Sequence, residues 1–133
     1  MINYEKNKTI TPLQLKKLIV NSKLERRIDS IARLQKMIDN ADFLCTAWDQ
    51  GELVGMARGL SDQADSAYLA DLCVDENYQK QGIGKNLLSL VDELVGDDIH
   101  LVLLAADVAV NYYPKVGFTA WPNSYMKWPK DER

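Results

Sequence analysis

An apolar run, Leu69 to Val74, leads into Gln79-Lys80-Gln81-Gly82-Ile83-Gly84-Lys85, and a periodic apolar segment, Ile83 to Val95, leads out. This strand–glycine turn–helix succession constrains the chain more than any other stretch. Glycine lets backbone N–H groups approach a partner closely, and a helix start leaves donors unpaired at the positive end of its dipole. The arrangement suits an anion, and a diphosphate is its natural guest. Lys80 and Lys85 flank the glycines where a phosphate would want cations. Two common phosphate loops do not fit. Leu87 stands where the dinucleotide fingerprint needs its third glycine, and Asn86 stands where the Gly-Lys loop needs Ser or Thr. A tight turn without a ligand is the other reading of the same residues.

The rest of the composition narrows the function classes. A chain of 133 residues, 47% of them hydrophobic, can bury one real core as a single domain spanning residues 1–133. Net charge is −3 with a pI near 5.1, so no basic footprint points to nucleic acid. Cys45 and Cys73 are far apart, form no metal spacing and read as small buried thiols. With His100 the one histidine, no metal constellation and no Ser/His/Asp or Cys/His set can be built. No apolar run approaches a membrane span, and the N-terminal residues carry no signal-peptide core. The expected location is the cytoplasm, with no membrane partner.

Read in order, Ile2 to Tyr4 is a short first strand. Thr11-Pro12-Leu13-Gln14 opens a helix through a capping box. Ile28, Ile31, Leu34 and Ile38 mark a second helix, preceded by Arg26 and Arg27, whose charges suit solvent or an acidic ligand. Phe43–Trp48 and Leu53–Leu60 read as strands joined by a glycine hairpin at Asp49-Gln50-Gly51-Glu52. Ser61–Ser66 is a second turn and Tyr68–Val74 the next strand, giving an antiparallel meander. In the Ile83–Val95 helix, Ile83, Leu87, Leu90, Val91 and Leu94 form the expected buried face, with Gly96 at its end. The apolar run His100–Ala105 predicts a strand buried on both faces and parallel to the one before the helix. A short helix near Val108–Tyr113 and a last extended segment, Phe118–Met126, complete the chain. The predicted class is therefore α/β (α+β), a single mixed sheet with helices on both faces.

Gln79, Gly82 and Gly84 match a pattern of Gln or Arg, two residues, Gly, one residue, Gly or Ala. This resembles the coenzyme A loop of the GCN5-related N-acetyltransferases, the GNAT family. A second resemblance follows at the right interval, in Ala109, Tyr113, Lys115, Gly117 and Phe118. The likeness covers roughly Leu53 to Phe118. Ala106 departs from it, because many members carry Asn there for the pantetheine arm.

The resemblance implies transfer of an acetyl group from acetyl-CoA, without a metal, to a primary amine of a small molecule or peptide, by direct attack in a ternary complex. The cofactor would lie against Gln79, Lys80, Gln81, Gly82, Ile83, Gly84 and Lys85. Main-chain groups of Leu72, Cys73 and Val74 would pair with the pantetheine arm, on a strand that often bulges and splays in this family. The Val74 N–H is then the donor to the thioester carbonyl. Tyr113 is the candidate general acid for the departing thiolate, with Pro114 set to end or kink its helix. Asp71 is the candidate base, reading alternatively as a substrate ligand or half of a buried ion pair. It is expected on the face of Cys73 and Leu69. Arg58 would pair with Asp71, bind an acidic substrate group, or stand as a simple edge-strand arginine. Cys73 has no visible activator for an acyl-enzyme route. A non-catalytic acyl-CoA-binding module on the same fold is the alternative. Trp121, Tyr125, Met126 and Trp128 would line a pocket or a dimer contact, and late-strand pairing in the family makes a homodimer one allowed assembly.

Overall fold

The helices begin where the sequence signals them. The Thr11 hydroxyl accepts from the Gln14 N–H at 3.1 Å, and the Gln14 side chain accepts from the Thr11 N–H at 2.9 Å, which starts α1 (Pro12–Ser22). Ser30 caps α2 (Ile31–Asp39) by accepting from the Arg33 N–H. Ile28 therefore precedes the helix and packs beside it. The computed structural model describes residues 1–132.

One sheet contains β1 (Asn3–Lys6), β2 (Phe43–Asp49), β3 (Glu52–Ser61), β4 (Ser66–Val74) and β5 (His100–Leu103), in that spatial order. Strands β1 to β4 are antiparallel neighbours. Gln50 (φ 49°) and Gly51 (φ 83°) make the tight β2–β3 turn. α3 (Ile83–Val95) carries the chain across the sheet, so β5 runs parallel to β4. α3 covers one face, its Ile83, Leu87 and Val91 packing on Cys45, Ala57 and Leu69. α1 and α2 cover the other, where Leu15, Leu18 and Leu34 meet Leu44, Met56 and Cys73. The mixed sheet with helices on both faces is as predicted.

Four expectations change. The buried face of α3 includes Leu88 and Val95, while Leu90 and Leu94 are only partly buried, because the sheet is wide enough to cover a broader stripe. β5 is an edge strand: Leu101 and Leu103 are half-buried and Val102 is 52% exposed. The segment 118–126 forms no strand beside it. Pro122, which has no N–H for a ladder, sits in a turn there, and Trp121 and Tyr125 are exposed. The short helix near 108–113 is replaced by two 3-10 turns, Asp107–Ala109 and Tyr113–Val116.

Candidate active site

The site is built on an irregularity in β4. Arg58 of β3 pairs with Asp71, but the next residue, Gly59, pairs with Leu69, leaving Ala70 as a bulge. One extra residue reverses the alternation. Leu69 packs under α3 while Asp71 and Cys73 turn to the α1/α2 face. Asp71 thus shares a face with Cys73, as expected, and not with Leu69.

The bulge also marks where β4 and β5 part. Their pairing covers Ser66–Leu69 against His100–Leu103 and goes no further. Beyond it, the Asp75 N–H donates to the Val54 carbonyl of β3 at 2.8 Å. By strand alternation the main-chain groups of Leu72 and Val74 then point away from β3, toward the side that β5 has left. Leu72 and Val74 side chains pack toward α3, and the Cys73 side chain enters the other layer.

The loop after β4 is anchored at both ends. The Tyr78 hydroxyl donates to Asp49 Oδ2 at 2.6 Å, a bond that also raises its pKa. Gln79 Nε2 donates to the Val74 carbonyl at 3.1 Å, which ties the loop back to the strand end. Lys80 (φ 65°) and Gly82 (φ 82°) are left-handed, and at Gly82 only glycine adopts that geometry without strain. The Gly82 carbonyl accepts the Asn86 N–H at 3.0 Å, and no side chain caps the helix. The N–H groups of Ile83, Gly84 and Lys85 therefore lack helical partners. Gln81 and the two lysines beside it are exposed, and among the described residues Lys80 and Lys85 form no ion pair.

The late motif closes on this loop. The Gly117 and Phe118 N–H groups both donate to the Tyr113 carbonyl, with Gly117 left-handed at φ 98°. That turn folds Phe118 against the Tyr113 ring, at 5.5 Å between centroids, while Tyr112 flanks it at 5.4 Å. Pro114 sits in the first turn of Tyr113–Val116, where its missing N–H costs little, so the turn begins at Tyr113 instead of ending there. Burial first, and then Tyr112, raise the Tyr113 pKa; Arg26 lowers it and Cys73 adds to the rise. The phenol stays protonated at neutral pH, the form a general acid needs.

Sequence reasoning had no signal for Tyr112. Its hydroxyl lies 3.3 Å from where a Cβ on Gly84 would sit, so it lines the start of α3. Ala106, at the family's Asn position, starts a 3-10 turn through its carbonyl, and Asn111 is exposed.

Asp71, the candidate base, is 1% exposed and doubly paired. Arg26 Nε donates to Oδ1 and Arg58 Nε to Oδ2, each at 2.6 Å. Arg26 also donates from Nη2 to the Ala70 carbonyl at 2.9 Å, so it clasps the bulge. With both oxygens taken by guanidiniums and the residue buried, the carboxylate has no open path to an amine or its water. Cys73 is pushed up to about 12 by burial, then by the Asp71 charge, and is an inert thiol at neutral pH. His100 is exposed at the start of β5. Among the described residues no group of His, Cys, Asp and Glu is placed to hold a metal, and no helix is long and apolar enough to cross a membrane.

This geometry has counterparts. A histone acetyltransferase of Glycine max is 43% identical over 76 residues, which are 56% of this chain and 33% of that protein. The chain thus spans about a third of that relative's length. A Staphylococcus aureus protein described as a probable acetyltransferase shares the fold, with a TM-score of 0.86 at 23% identity, over 98% of this chain and 99% of that one. A predicted acetyltransferase of Clostridium acetobutylicum, crystallised with acetyl-CoA, superposes with a TM-score of 0.73 at 18% identity, covering 100% and 99% of the two chains. At those identities the structural likeness is one of fold. The profile of the acetyltransferase (GNAT) domain matches residues 7–127, nearly the whole length, and the chain belongs to that family.

Proposed function

We propose that this domain transfers an acetyl group from acetyl-CoA to a primary amine of a small molecule or peptide, by direct attack in a ternary complex. One observation carries the proposal: the β4 edge that opens at Ala70 is followed by an uncapped helix start, with Tyr112 at that start and Tyr113 packed against Tyr112. The Clostridium neighbour, whose structure holds acetyl-CoA, supports the choice of donor.

The pyrophosphate would rest on the N–H groups from Gln81 to Lys85, between the Lys80 and Lys85 cations. The pantetheine amides would pair with the main-chain groups of Leu72 and Val74, while those of Cys73, which the sequence reading included, are turned to β3. The amine nitrogen attacks the thioester carbonyl, whose oxygen takes the Val74 N–H, a donor worth about 3–4 kcal/mol of barrier when well placed. The C–S bond breaks, and Tyr113 protonates the departing thiolate. The amine's own proton leaves to water. We assign Asp71 the holding of Arg26 and Arg58, in place of proton abstraction. The free thiols Cys45 and Cys73 suit a reducing compartment such as the expected cytoplasm.

An acyl-CoA-binding module without activity is the second reading, and the engagement of Asp71, the candidate base, by Arg26 and Arg58 is the observation that favours it. Initial rates with both substrates varied separate the possibilities. Intersecting double-reciprocal lines support attack in a ternary complex, parallel lines point to an acyl-enzyme, and absence of acceptor-dependent turnover points to the module.

A further inference from the structure

The Arg26–Asp71–Arg58 cluster is not balanced. Two guanidiniums share one carboxylate, and among the described residues no second acid pairs with either. The neighbouring Arg27 is different, since it is matched by Asp131 and Glu132. Arg26 uses Nε, Nη1 and Nη2 on Asp71, the Glu25 carbonyl and the Ala70 carbonyl. Arg58 uses only Nε. Its Nη groups meet no acceptor among the described residues, although the side chain is only 12% exposed. No buried side-chain nitrogen in the described residues is left without a partner, so these Nη groups reach the surface. An arginine held rigid by a buried acid, with its outer fork empty and a net positive charge behind it, is built for a carboxylate or phosphate.

Its position relates it to the reacting centre. Arg58 lies opposite Asp71 and Gly55 opposite Val74, so three residues of β4, about 10 Å, separate the two levels. Arg26 holds the same carboxylate and clasps the Ala70 carbonyl, where the β4 edge opens. Resting on the transfer reading above, we infer that Arg58, assisted by Arg26, binds an anionic group on the acceptor. The substrates are then amines that also carry a carboxylate or phosphate a few bonds from the nitrogen, and simple polyamines are excluded. Asp71 is the positioning residue that holds both arginines and aims the fork of Arg58.

The test uses matched acceptors: 4-aminobutyrate against 4-aminobutanamide, and O-phosphoethanolamine against ethanolamine. Turnover is read as thiol release, and binding to the coenzyme A-loaded protein by calorimetry. The anionic member of at least one pair should be favoured at least tenfold, chiefly in KM or Kd. Which pair shows it tells carboxylate from phosphate. Arg58→Gln should abolish the preference and Arg58→Lys should keep part of it, with folding checked by Tm. If Arg58→Gln does not fold, the more exposed Arg26→Gln reads the same preference. Equal use of both members in both pairs overturns the inference, as does a preference that survives Arg58→Gln and Arg26→Gln. Anionic preference in binding without turnover of any amine would leave this inference standing and remove the transfer reading.

Discussion

Tyr113 is a phenol that is protonated at neutral pH and that burial holds further from ionisation, and the consequence is testable at one atom. Tyr113→Phe keeps both ring contacts and deletes the hydroxyl. It should lower kcat by about 10²-fold, the low end for general acid catalysis because a thiolate leaves easily, with little change in coenzyme A affinity. Unchanged turnover would make it a packing residue. Asp71→Asn should behave differently. Two arginines would lose their common partner, costing about 2–3 kcal/mol in urea unfolding, below the fully buried case because Arg26 is a third exposed. Its rate loss should be equal at all pH; a loss confined to low pH, where the amine is protonated, would restore Asp71 as base. Cys73 carries the pH-linked expectation. Its folded pKa, about 12, lies above the ordinary 9, so the stability tied to the neutral thiol is present below pH 9 and lost as pH rises toward 12. Iodoacetamide at about pH 8 should therefore spare Cys73 in the native protein and modify it in urea. At this scale the sequence was legible for the glycine turns at Gly82 and Gly117, whose spacing is local. It was silent on Tyr112 and undecided on Arg26, because their partners lie far along the chain.

At the level of elements, the bulge and the glycine loop do separate jobs. The bulge at Ala70 frees the β4 edge, and the loop sets an uncapped helix at its end. Gly84→Val would place a side chain against the Tyr112 hydroxyl and into the proposed pyrophosphate site. Coenzyme A affinity should fall at least tenfold, about 1.4 kcal/mol, with the fold kept. Unchanged affinity by calorimetry in a folded variant would remove the loop assignment. Local signals fixed most elements in advance: the Thr11 capping box, the Gln50-Gly51 turn and the Ile83–Val95 helix all formed where they were read. The bulge was expected only through the family resemblance, and its place at Ala70 was not legible, since a one-residue slip changes pairing without changing the apolar pattern. For the same reason Asp71 and Leu69 were placed on one face. β5 misled because an apolar run says nothing about how many neighbours a strand finds.

For the molecule as a whole, the fold ends at an open edge. Among the described residues β5 has no outer neighbour, Val102 is exposed, and Trp121 and Tyr125 lie exposed on the segment that follows. We propose that a second copy covers this edge; light scattering should then show a dimer whose mass falls to that of one chain on Val102→Lys, whereas a monomeric wild type at high concentration would exclude it. The central claim, that the opened strand, the bare helix start and Tyr113 together move an acetyl group, is tested most directly by one measurement. Free thiol is followed as acetyl-CoA is mixed with the protein and a panel of primary amines. The account predicts thiol release that depends on the amine, saturates with it, and matches the N-acetyl product mole for mole. Tight coenzyme A binding with no amine-dependent release across the panel would contradict it.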